Sequence, residues 1–125
     1  MKPWLVLLAH GSRDAEWRAP FDQLTADAQA SLSSVAVRLA FLQLAEPTLE
    51  EIVAEANCAR ADTITVHPLF MAQGRHVNVD IERLMNDLSE VYPELELKLR
   101  THIGSDARLW TLMREIVIES FSQRA

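Results

Sequence analysis

The 125-residue chain carries 12 Lys and Arg against 18 Asp and Glu, a net charge of -6, and 49% of its residues are hydrophobic. That length and apolar content suit one domain, residues 1–125, with an ordinary core. The acidic balance, with a pI near 5.1, excludes a nucleic-acid binder that works by neutralising phosphates, and no apolar stretch approaches the ~20 residues of a membrane helix.

Leu5 to Ala9 is an unbroken apolar run that ends in His10-Gly11-Ser12-Arg13. Such a run reads as a strand buried on both faces, at the centre of a parallel sheet, with His10 at its carboxyl end. Met1-Lys2 before it resembles the start of a secretory leader, but the run is short and His10 breaks it, so a cytoplasmic protein is expected. Trp17, Phe21, Leu24, Ala28 and Leu32 then recur at helical spacing, and Pro20, tolerated in a first turn, sets the helix start no earlier than about Glu16. Val35 to Leu42 alternates as a strand at or near a sheet edge. Thr48 and Glu51 form a capping box for a second helix that buries Leu49, Ile52, Val53 and Ala56. Cys58, the single cysteine, falls on the apolar side of that helix and reads as packing, which suits a reducing compartment.

Thr63 to His67 is a short β-branched strand that Pro68 helps to end. Pro68 to Val79 reads as a loop that combines apolar Leu69, Phe70, Met71 and Val77 with Gly74, Arg75 and His76. Those apolar residues have no obvious core position and suit an interface or a ring-stacking surface. A third helix follows up to Pro93, with Asn78 or Asp80 as its cap and Ile81, Leu84, Met85, Leu88 and Val91 facing inward. Glu94 to Arg100 alternates charge with leucine and belongs at the other sheet edge. Ser105 or Asp106 then caps a last helix that buries Leu109, Leu112, Met113, Ile116, Val117 and Phe121. Right-handed crossovers and the two edge signals predict an α/β fold, a flavodoxin-like three-layer sandwich with a four-stranded parallel sheet in the order 2-1-3-4. The order reverses between the first and third strands, so a ligand is expected in the crevice beyond His10 and His67.

All four histidines, His10, His67, His76 and His102, fall at or just beyond strand carboxyl ends. Imidazole is the commonest protein ligand for first-row metals and the usual acid or base near neutral pH, and either role fits here. The bland reading, a ring that bonds nearby backbone, weighs most at His67 and His102 and least at His76. Phosphate loops, dinucleotide fingerprints, paired cysteines and nucleophile elbows are all missing. A histidine phosphate-transfer enzyme is set aside because Ala9 stands where that family has arginine.

Three segments together carry a resemblance: His10-Gly11-Ser12-Arg13-Asp14; Ala40-Phe41-Leu42 with Ala45-Glu46-Pro47; and Pro68-Leu69-Phe70-Met71 with Gly74-Arg75-His76-Val77 and Asp80-Ile81. They look like the small CbiX-type sirohydrochlorin chelatases, which belong with the class II tetrapyrrole chelatases. The resemblance implies insertion of a divalent metal, Co2+, Ni2+ or Fe2+, into sirohydrochlorin without ATP or an organic cofactor, by a homodimer. By position it implies that His10 and His76 bind the metal, and that Glu46 is an acidic residue on the same side of the pocket. The chain departs from many relatives at Gln43, where an acidic residue is usual, and at Glu82, where proline is usual. From the chemistry, Arg13 and Arg75 flank the two histidines and suit the macrocycle's carboxylates, with Ser12 beside them. The rival reading is a metal- or tetrapyrrole-binding carrier that uses the same pocket without promoting insertion.

Overall fold

A computed structural model describes residues 2–122. Strands β1 (Trp4–Ala9), β2 (Ala36–Phe41), β3 (Thr63–Pro68) and β4 (Glu96–Leu99) form one parallel sheet in the order β2-β1-β3-β4. Helices α1 (Ala15–Ser31), α2 (Leu49–Cys58), α3 (Arg75–Val91) and α4 (Ala107–Ser122) alternate with them, and a 3-10 turn, Ile103–Ser105, precedes α4. The α/β layout and strand order are those the apolar runs and edge signals predict.

Burial explains the layers. Val6, Leu7, Leu8 and Ala9 of β1 are all buried, because this central strand is covered on both faces. On one side, Val6, Leu8, Ile64 and Val66 pack with Ile52, Val53 and Ala56 of α2 and Ile81, Met85 and Leu88 of α3. On the other, Leu7, Ala9, Val37, Leu39 and Phe41 pack with Trp17 and Phe21 of α1. Each fully buried aliphatic or aromatic side chain contributes about 1.5–3 kcal/mol, so these two clusters drive the sheet together. The capping box is present in full, with Thr48 Oγ1 accepting from Glu51 N–H and Glu51 Oε1 accepting from Thr48 N–H.

Several local expectations change. Helix α1 starts at Ala15 on an Asp14 cap, so Pro20 lies in its second turn, where the missing N–H leaves the Glu16 carbonyl without a helical donor. Pro20 is exposed, and water can take that place. Helix α3 starts at Arg75 on a Gly74 cap, not at Asn78 or Asp80, because the Asn78 N–H already bonds the Gly74 carbonyl. Arg75 and His76 are therefore helical residues instead of loop residues. Cys58 is exposed, since it occupies the final residue of α2, beyond the turns that reach the sheet. Phe70 is 1% exposed and belongs to the core, which removes it from any external surface. Asp106 accepts from Arg108 N–H, as a capping residue does, yet α4 buries none of its residues.

Candidate functional site

The carboxyl ends of β1 and β2 and the first three turns of α3 converge on a pocket of about 290 Å3 lined by His10, Leu42, Gln43, Val77, Asp80, Ile81 and Leu84. Backbone pairing carried past the strand ends builds its floor: Leu42 N–H bonds the Ala9 carbonyl at 3.0 Å, and Gln43 N–H bonds the His10 carbonyl at 3.1 Å. Gly11 makes this approach feasible. Its φ is +107°, and a Cβ there would sit 1.7 Å from the Gln43 carbonyl oxygen.

His10 is exposed, and its ring stacks on buried Phe70 with centroids 4.0 Å apart and an interplanar angle of 24°. The stack holds one face of the imidazole, and His10 lines the pocket. Phe70 is fixed from below, because its carbonyl accepts from Gly104 N–H at 2.9 Å. A Cβ at Gly104 would lie 1.5 Å from the Met71 carbonyl oxygen, so the turn before α4 is pressed against the loop that carries Phe70.

His76 is the second residue of α3, exposed, and one residue before pocket-lining Val77. Asp80 lies four residues on, so the two side chains share a helix face about 5–6 Å apart at Cβ. Asp80 makes no hydrogen bond or ion pair with any described residue. It is the carboxylate of the pocket, and reading the chain as sequence missed it by assigning it a capping role. The four-residue spacing from His76 was the available signal. Glu46 is exposed on the loop after β2, does not line the pocket, and its carbonyl accepts from Arg18 Nη1 at 3.0 Å.

Arg13 and Arg75 are exposed, and neither forms an ion pair with a described residue, so both guanidinium groups are available to an anion. The Gly74 cap makes no side-chain bond to the start of α3, which leaves helical N–H groups facing the same end of the sheet. Ser12 Oγ accepts from Asp14 N–H at 3.0 Å and so helps turn the chain into α1, with its own proton still free to donate.

The remaining histidines sit at the same end but off the pocket. His67 lies within β3, half-buried, and burial followed by the nearby Arg100 charge holds its pKa below the ordinary histidine value. Because the unfolded chain takes up that proton first, His67 costs stability as pH falls below the ordinary value. His102 caps the 3-10 turn, and its carbonyl accepts from Ser105 Oγ. Among the described residues no three His, Cys, Asp or Glu side chains are grouped closely enough to cage a metal.

Known proteins share this fold. The model of the CbiX family matches residues 4–120. A sirohydrochlorin cobaltochelatase of Saccharolobus solfataricus is 28% identical over 125 residues, covering 95% of this chain and 96% of the relative. The crystal structure of a CbiX protein from Marinobacter aquaeolei superposes with a TM-score of 0.84 at 33% identity, covering 98% of this chain and 99% of that one. The sirohydrochlorin chelatase SirB of Bacillus subtilis, solved in complex with cobalt, superposes with a TM-score of 0.78 at 25% identity. That match covers 93% of this chain and 51% of SirB, so the chain spans about half the length of that structure.

Proposed function

The chain belongs to the CbiX family, and from that premise we propose that it inserts a divalent metal into sirohydrochlorin. The observation that carries the reading is the pocket itself, which His10 and the unpartnered Asp80 carboxylate line together with Leu42, Val77, Ile81 and Leu84. His10 and His76 hold the incoming ion, which is Co2+, Ni2+ or Fe2+; the names of the relatives favour cobalt. Two imidazoles bind a metal without locking it in, as release into the macrocycle requires. The ring must give up two pyrrole protons as the metal enters, and the carboxylates of Asp80 and Glu46 are the acceptors offered at this end of the sheet. Arg13, Arg75 and Ser12 meet the ring's carboxylates. No ATP and no organic cofactor takes part. A cytoplasmic setting fits the single, unpaired cysteine.

A pocket of about 290 Å3 encloses only part of a tetrapyrrole, since sites for large ligands run up to ~1,000 Å3. The working form is accordingly a homodimer whose second copy supplies the other wall. The deciding experiment follows the absorbance of sirohydrochlorin with Co2+, with and without protein. Acceleration supports the chelatase, whereas binding without acceleration supports a carrier in the same pocket.

Two further results are expected. An imidazole nitrogen ligates only when neutral, so Co2+ affinity measured calorimetrically falls as the pH is lowered and protons compete with the metal for the ligating histidines. A flat affinity between about pH 5.5 and 8 would assign the metal to carboxylates instead. Asp80→Asn slows insertion by roughly 10-fold to 100-fold with Co2+ affinity little changed, and Glu46→Gln has the smaller effect, because Asp80 lines the pocket and Glu46 does not. The opposite ranking in initial rates would move the proton acceptor to the loop after β2.

A further inference from the structure

The helices between strands do not all start in the same way. Asp14 caps α1 through its side chain and Glu16 stands in the first turn, while Thr48 caps α2 within a full capping box beside Glu50 and Glu51. Helix α3, which carries His76, has neither device. Its Gly74 cap makes no side-chain bond, its first turn holds no acidic residue, and Arg75 puts a positive charge at the end where the backbone dipole disfavours one. Nothing lies within 4 Å of where a Cβ on Gly74 would stand, so the cap leans on no neighbour.

The loop before α3 is anchored only part of the way. Gly104 N–H donates to the Phe70 carbonyl and Gly104 presses on the Met71 carbonyl, but Ala72 and Gly74 are exposed. Between those two, Gln73 is half-buried, and its Nε2 reaches over the cap to donate to Asn78 Oδ1 at 2.7 Å. Asn78 Nδ2 carries the link on to Glu82 Oε1 at 3.5 Å, one turn further along the helix. The Gln73–Asn78 bond therefore brackets Gly74, Arg75, His76 and Val77. Gln73 Oε1 is buried with no partner among the described residues, a cost that a loop glutamine swung into water would avoid. The amide stays in spite of that cost, held by the bond its other end makes.

We propose that Gln73 is a positioning residue for His76: through Asn78 it fixes the uncapped start of α3, and with it the place from which the imidazole meets the metal. The inference rests on the reading of His76 as a metal-holding residue and names what orders it. Gln73 is not itself placed to touch metal or macrocycle, because its Oε1 is buried and its Nε2 is engaged. A capping side chain would occupy the N–H groups that the end of α3 offers to an anion, whereas a bridge from Gln73 to Asn78 orders the same turn and leaves them open. His10 needs no such bridge, since Phe70 holds its ring.

The test begins with the whole chain free of metal and tetrapyrrole. Gln73→Met keeps an unbranched side chain and deletes both polar atoms. Amide hydrogen exchange at Asn78, whose N–H bonds the Gly74 carbonyl, should run roughly 3-fold to 10-fold faster, with Leu88 unaffected and Tm within about 2 °C of the parent's. Asn78→Asp keeps an acceptor for Gln73 and should exchange at the parent's rate. Co2+ affinity by calorimetry should fall roughly 3-fold to 10-fold in Gln73→Met, and by more in His76→Ala. Unchanged exchange at Asn78 in Gln73→Met would overturn the proposal and leave the chelatase reading intact. So would faster exchange with parental Co2+ affinity while His76→Ala binds weakly. A Tm lower by about 5 °C or more, with exchange faster throughout α3, would reduce Gln73 to a structural residue and overturn the proposal too. Parental Co2+ affinity in His76→Ala would instead overturn the metal reading of His76, and the proposal with it.

Discussion

Replacing His10 with Ala is expected to slow cobalt insertion into sirohydrochlorin by about 1,000-fold, because the change removes from the pocket one of the two imidazoles proposed to hold the metal. The fold should survive. His10 is exposed, and its stack on Phe70 is worth only about 0.5–1.5 kcal/mol. His10→Phe makes the experiment sharper, since it keeps an aromatic ring over Phe70 and deletes both nitrogens. Both variants should lose Co2+ affinity by calorimetry and keep the parent's far-UV spectrum. Initial rates near the parent's in His10→Phe would show that the ring serves packing alone, and the metal site would have to be rebuilt around His76 and Asp80.

Gly11→Ala is expected to be the most damaging single change to stability near the site. At φ +107° an alanine is strained by about 1–3 kcal/mol wherever it stands. Here the new methyl also meets the Gln43 carbonyl oxygen at 1.7 Å, and that oxygen is backbone, which cannot swing aside like the end of a side chain. Either the loop after β1 or the loop after β2 must move, which breaks the Gln43 N–H bond to His10 and opens the pocket floor. A loss of about 3 kcal/mol or more, seen as a fall in Tm on the order of 10 °C, is the expected size. Insertion should fall with it, because Gln43 and His10 lose their mutual register. A variant that melts within about 2 °C of the parent would mean that the two loops are not in contact in solution.

The order and direction of the strands and the end of the sheet at which the histidines gather were legible in the chain itself. Those features rest on local signals that no distant contact overrides: an apolar run for a strand buried on both faces, alternation for an edge, a capping box for a helix start. His10 could be singled out for the same reason, since the carboxyl end of a central strand opens on the crevice whatever the loops do. Tertiary structure decided what depends on which surfaces meet. Phe70 looked like an exposed apolar residue in a loop, yet it is buried, because the turn before α4 folds under it through Gly104 and His10 closes over it. Asp80 looked like a cap, and a helix start six residues earlier, at Arg75, converts it into the carboxylate of the pocket. The stripe of α4 has the periodicity of a helix packed on its own sheet, but periodicity reports only that a face seeks cover and is silent on which chain provides it.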